Sequence, residues 1–279
     1  HGFRRLLYIY YILKMKTIRI LLAAALLPCF MQARAEGDSL RYEVELSANA
    51  SSGKYAPLWF TANRYGLSSE RPQSGYLRAG VQYGTRFGRG WSLQAGLDLA
   101  GGIDLEAPFF VQQAYADLSW KALTLSVGAK ERGSFPLGKD DRLSSGSMVE
   151  GPNARPIPQV RLEVKDYWDV PFTKGWLGVK GHIGYGLLTD GRWRENFVTA
   201  GENFSKNVIY HTKSMMFRVG NAEKFPLTME IGMLETAHFG GSLWKKQAGG
   251  SPTLVADMPS GIKDFFKALI PIQEGTVEN

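Results

Sequence analysis

The residues with the greatest chemical potential sit in two stretches rich in Arg, Asp and Asn. One carries Asp140, Asp141 and Arg142, followed by Asn153 and Arg155; the other carries Arg192-Trp193-Arg194-Glu195. An exposed Trp flanked by arginines suits an anionic sugar, because the indole face stacks on a ring while guanidinium forks hold carboxylates. Each of these residues has a plainer reading as a solvated loop charge, or as an Arg–carboxylate latch pinning a loop. For Asn153 to Pro158 the plainer reading is a turn leading into a strand, since the prolines restrict the backbone.

Catalysis finds little purchase. Asp140 and Asp141 are adjacent, and neighbouring loop carboxylates diverge towards solvent; a glycosidase pair needs them about 5–9.5 Å apart with a sugar between. Glu230 and Glu235 are an odd distance apart and so face opposite sides of a strand. His182, His211 and His238 fall on three different predicted strands without metal-ligand spacing. The chain has no Gly-x-Ser-x-Gly elbow and no phosphate loop. Neither a cofactor nor an enzymatic activity is expected.

The chain begins at His1, and Met15 is the better start, so residues 1–14 are read as an upstream artefact. Lys16 and Arg19 precede an apolar run from Ile20 to Met31, which ends at Ala33-Arg34-Ala35. A basic segment, a short apolar core and a small-x-small site make residues 15–35 a secretory signal peptide. The run is too short to span a bilayer as a helix, which takes about 20 residues. Cys29 is the one cysteine, preceded by Pro28, and belongs to this leader rather than to a lipoprotein signal. The mature chain from Glu36 therefore has no thiol chemistry.

The formal charge of +7 is concentrated at the start: residues 1–35 hold six basic residues and no acidic one. Removing them leaves 27 basic and 26 acidic residues, which takes away the case for nucleic acid.

Beyond the leader the dominant signal is alternation. Leu93, Ala95, Leu97 and Leu99 oppose Ser92, Gln94, Gly96 and Asp98; Leu123, Leu125 and Val127 oppose Thr124, Ser126 and Gly128. Glycine is enriched, at 32 of 279 residues against a usual ~7%. Strands are expected near 57–66, 74–87, 91–101, 109–120, 121–131, 156–166, 176–187, 208–220 and 226–238. A soluble sandwich also alternates, with its apolar face inward. Three features favour an antiparallel transmembrane β-barrel instead. Small residues fall on the polar face. Trp59, Trp91, Trp120 and Trp176 lie at predicted strand ends, as interfacial girdles require. Short and long connections alternate, with the long ones on one side. Residues 41–50 also alternate but break this parity if they span, so 36–56 is expected to be a periplasmic or lumenal segment. Residues 262–270 read as a short amphipathic helix inside the last loop, and the long 239–275 insertion favours a plugged barrel.

Several blocks resemble the Wzi family of capsule-attachment proteins. They are Pro57-Leu-Trp-Phe-Thr-Ala-Asn-Arg-Tyr-Gly66, Gly146 to Pro158, Val170 to His182, His211-Thr-Lys-Ser214, and Glu230 with Phe239-Gly-Gly241. The resemblance implies an outer-membrane barrel with a helical periplasmic plug, acting as a surface lectin that holds exported capsular polysaccharide. Its partners would be that polysaccharide, outer-membrane lipid and the barrel-assembly machinery. On this reading 57–279 is roughly the first half of the barrel, truncated at the C-terminus, because no closing strand follows Pro271. A porin or substrate channel, and a secreted soluble glycan-binding β-sandwich, are the alternatives.

Overall fold

The computed structural model describes residues 33–35, 38–133, 143–144, 149–189 and 193–270. Its main feature is one antiparallel sheet. In chain order the strands are β1 (Ala33–Ala35), β2 (Asp38–Ala50), β3 (Gln73–Phe87), β4 (Trp91–Ile103), β5 (Phe109–Trp120), β6 (Leu123–Ala129), β7 (Gln159–Asp169) and β8 (Leu177–Leu187). β9 (Asn203–Lys206) follows, then β10 (Ile209–Val219), β11 (Met229–Phe239), β12 (Ser242–Lys245) and β13 (Thr253–Asp257). The sheet order is β1-β2-β3-β4-β5-β6-β7-β8-β10-β11, each strand pairing with its neighbour; β13-β12-β9 form a second, small sheet. Among the described residues the large sheet is open, with β1 and β11 at its edges. Among the described residues there are three short helices, α1 (Leu58–Thr61), α2 (Trp193–Phe197) and α3 (Ile262–Leu269). No described helix is long and apolar enough to cross a membrane.

The first strand differs from expectation. Residues 57–66 are not extended: the Phe60 N–H donates to the Pro57 carbonyl (2.9 Å) and Ala62 to Leu58 (2.8 Å), forming α1. Asn63 (φ +56°) and Tyr65 (φ +51°) then adopt left-handed backbone that no ladder accommodates. Trp59 accordingly sits in a helix and not at a strand end. The strand beside β3 comes instead from the segment expected to be periplasmic or lumenal: β2 pairs with β3 in unbroken register from Asp38↔Thr85 to Ala50↔Gln73. This substitution preserves the parity. Connections 88–90, 121–122, 170–176 and 220–228 lie at one end of the sheet, and 51–72, 104–108, 130–158, 188–208 and 240–270 at the other.

The two faces are inverted relative to a water-soluble sheet. Leu97 (44% exposed), Leu125 (40%) and Ile231 (60%) belong to an apolar face left open along the wall, whereas Asp117, Gln112 and Ser126 are at most 1% exposed on the other. An isolated exposed Leu means little; a whole apolar face opposite a buried polar one is the informative observation. A soluble sandwich requires Leu97 to be buried against another sheet. At the short-link end Phe87 stacks on Trp91 (centroids 6.5 Å) and Trp91 lies 6.2 Å from Trp120. These rings form an aromatic cluster on the apolar side.

One irregularity re-aims side chains on the polar face. Asp98 pairs with Gln113 and Leu99 with Val111, so Gln112 has no residue opposite it. This β-bulge turns both Gln112 and Gln113 inward, which strict alternation forbids.

Candidate functional site

The polar face holds two linked clusters. Around β3 to β5, Arg78 is the hub: it pairs with Asp98, with Glu131 at 2.8 Å, and with Glu45 at 3.8 Å. The bulge glutamines complete it. Gln113 Nε2 donates to Asp98 (2.5 Å) and its Oε1 accepts the Glu131 N–H (2.7 Å), while Gln112 Nε2 donates to Glu131 (2.8 Å). A charge in such surroundings is tolerable only when fully paired.

The second cluster runs across β5 to β10. Asp117 bridges Lys130 (2.6 Å) and Lys165 (3.0 Å). Arg161 reaches Glu163 (3.1 Å), Glu150 (3.0 Å) and His182 Nδ1 (2.8 Å). Arginine can only donate, so His182 Nδ1 is an acceptor and its proton sits on Nε2. That nitrogen faces Thr212 Oγ1 at 2.9 Å and Glu150 Oε2 at 3.4 Å. Glu150 comes from the β6–β7 connection and also accepts from the Tyr210 hydroxyl (3.2 Å).

Two of the long connections fold inward together. The Tyr65 N–H donates to the Pro152 carbonyl (2.6 Å), the Asn63 N–H to Asn153 Oδ1 (2.8 Å), and Gln112 Nε2 to the Tyr65 carbonyl (2.9 Å). Beside them Leu67 is buried with Tyr76, Ala100 and Phe110 in a small apolar core on the inner side. Below this cover lies a cavity of about 410 Å³, lined by Tyr65, Lys130, Arg132, Glu150, Asn153, Arg155, Tyr210 and His238 among others. A neighbouring cavity of about 300 Å³ shares Lys130 and Arg132 and adds Arg161, Lys165, Lys180 and His182. Arg132 is held by Ser126 Oγ (2.8 Å); burial, and Arg161 beside it, pull its guanidinium below the ordinary value. The lining suits a ligand rich in hydroxyls and negative charge, with Tyr65, Tyr210 and His238 as rings.

The sequence-predicted residues separate into three groups. Asn153 and Arg155 come together at the first cavity. Arg155 is wedged in place: its guanidinium lies 4.5 Å over the Phe110 ring, Nη2 donates to the Val111 carbonyl (3.2 Å), and burial lowers its pKa. Trp193, Arg194 and Glu195 lie on α2, beside the small sheet and away from that cavity. There Arg194 donates to Ser205 Oγ (2.7 Å), and Glu195 is buried against Lys206 (3.2 Å), both acting as latches. Trp193 stacks on Phe197 (4.9 Å, 21°) and stays exposed. Asp140, Asp141, Arg142 and Arg192 lie outside the described residues.

Sequence reasoning did not single out Tyr65, Lys130, Arg132, Glu150 or Tyr210 as site residues, and weighed His238 only as a metal ligand. Lys130-Glu131-Arg132 directly after an alternating strand was one available signal, and the blocks 57–66 and 146–158 that hold Tyr65 and Glu150 were another. The histidines disperse: His182 and His238 face the polar side and His211 the other, stacked on Tyr185 (4.3 Å). No group of His, Cys, Asp and Glu among the described residues is arranged to hold a metal ion. Scanned against protein-family models and curated proteins, the chain matches neither.

Proposed function

We propose that this chain builds part of the wall of an outer-membrane β-barrel, and that the barrel is a non-enzymatic surface lectin attaching capsular polysaccharide. The observation that carries the membrane half of this reading is the inverted sheet. Lipid is the solvent in which an exposed Leu, Val and Met face opposite a buried ionic face is the stable arrangement. The alternation of short and long connections and the Phe87–Trp91–Trp120 girdle support the same reading.

The lectin half rests on the resemblance to Wzi-type proteins in blocks such as Gly146 to Pro158, and on where those blocks fall. That block carries Glu150 and Asn153 to the cavity beneath the long connections. Export would proceed through the leader at 15–35, with assembly by the barrel-assembly machinery.

An open porin or substrate channel would use the same wall. It is disfavoured because the 51–72 connection and residues 149–158 fold together over the polar face. The helical part of the 240–270 connection adds nothing to that occlusion, since α3 packs on the apolar side.

The test is fractionation of cells carrying the full locus, with detergent extraction, a heat-modifiability gel and a capsule-release assay. An outer-membrane product that shifts on heating, and whose deletion sheds polysaccharide into the medium, sustains the proposal. A periplasmic or soluble product overturns it in favour of a soluble glycan-binding protein.

A further inference from the structure

The apolar face is interrupted at one place. Tyr185, His211, Lys213 and Glu235 lie on the same side as Ile183, Met215 and Met233, near the long-link end of β8, β10 and β11. Helix α3 covers this interruption. The Tyr185 hydroxyl donates to the Phe265 carbonyl (2.8 Å), and the Phe265 ring lies 5.1 Å from both Tyr185 and Phe239. Lys213 Nζ donates to the Ala268 (3.1 Å) and Leu269 (2.7 Å) carbonyls at the helix C-terminus, and pairs with Glu235 (3.3 Å). A cation there satisfies end carbonyls and meets the negative end of the helix dipole.

Phe265 is turned to the wall, and the flank of α3 beside it presents Ile262 and Phe266, exposed by 76% and 62%. Spaced by four, they lie on successive turns, and Ile270, exposed by 55%, follows them at the extended C-cap. Lys263 and Lys267, both exposed, lie on the side of the helix away from the wall. The helix sits at the rim, where Lys213 is four residues along the strand from Ile209, or about 13 Å.

We propose that α3 is an interfacial membrane helix. Ile262, Phe266 and Ile270 enter the acyl boundary beside the barrel wall, and Lys263 and Lys267 engage the phosphate-bearing headgroups of that leaflet. This rests on the barrel reading, since the flank continues an apolar face that must itself meet lipid. The charge pattern selects anionic headgroups: lysines next to an apolar flank place ammonium groups at headgroup depth while their stems stay in contact with lipid.

The test uses the leader-processed protein, whose 36–279 span has no cysteine, reconstituted in vesicles of phosphatidylcholine with or without phosphatidylglycerol. Phe266→Cys and, separately, Leu97→Cys carry an environment-sensitive fluorophore. Expected is several-fold quenching of both by brominated lipid, with the Phe266→Cys signal stronger in anionic vesicles and lost on adding K263E and K267E, while Leu97→Cys is unchanged. Quenching of Leu97→Cys by lipid but of Phe266→Cys only by aqueous iodide overturns the inference and leaves the barrel reading standing. An unchanged Phe266→Cys signal in K263E/K267E overturns the headgroup assignment. If neither position is quenched by lipid, the barrel reading fails and takes this inference with it.

Discussion

Glu150 Oε1 lies 3.0 Å from Arg161 Nη1, and this pair fastens the connection between β6 and β7 to the polar face of the sheet. The same carboxylate accepts from Tyr210 and faces His182, so three strands depend on one loop residue. Glu150→Ala leaves Arg161 still paired with Glu163 but takes the acceptor from Tyr210, at a cost of roughly 1–3 kcal/mol locally. Amide hydrogen exchange across 149–157 should rise sharply, while exchange in β3 and β4 stays as it was.

Leu97 distinguishes a lipid-facing wall from a wetted one. Leu97→Arg should cost roughly 2–4 kcal/mol if that face lies at mid-bilayer depth, and under about 0.5 kcal/mol if it meets water. The readout is the fraction of heat-modifiable, folded protein in the membrane. Equal yields for Leu97→Arg and wild type would argue against a lipid-facing wall.

Arg78 binds two carboxylates that would otherwise confront each other, Asp98 and Glu131. Arg78→Met should destabilise the sheet by roughly 3–5 kcal/mol, read as a lower urea midpoint. Adding Asp98→Asn should recover part of that loss, because the two sites share one network and their effects do not add.

Gly128 has φ +110°, and a side chain there would run into the Ala114 carbonyl oxygen. Gly128→Ala should cost about 1–3 kcal/mol through backbone strain, in spite of its small volume. Its urea midpoint should fall well below that of a substitution at Gly53, which has open space around it despite a positive φ.

Trp193 is exposed and stacked on Phe197, so Trp193→Ala should leave assembly intact. Loss of one ring face from a sugar platform amounts to about 1 kcal/mol, or roughly a fivefold weaker hold. Cell-bound polysaccharide should fall with unchanged amounts of protein in the membrane. Unchanged retention would confine Trp193 to packing α2.

Much of the architecture was legible in the chain. Alternation located β3 to β8, β10 and β11 closely, because a side-chain period of two is written directly in a sequence whose sheet has two unlike faces. The helix at Ile262–Leu269 was likewise legible from its own periodicity. What misled was 57–66, where three aromatic residues and Thr61 imitate a strand; left-handed backbone at Asn63 and Tyr65 overrides that local pattern. The bulge at Gln112 escaped for a related reason, as it is a relation between two strands and exists in neither alone.

The site was less legible than the sheet. Arg155, Arg194 and Glu195 were visible as charged loop residues, but only folding showed that each is held by a residue on another element, Arg155 by Phe110 on β5 and the other two by Ser205 and Lys206 on β9. The grouping of Tyr65, Glu150, Asn153, Tyr210 and His238 around one cavity joins segments about 170 residues apart in sequence, and nothing local marks it. The sequence by itself determined which residues alternate, and hence that the wall has one apolar and one polar face. Only the tertiary structure decided which face is buried, which loops cover it, and that α3 lies on the apolar side. Periodicity is a property of neighbouring residues, whereas burial and ion pairing depend on distances that the chain sets only when it closes on itself.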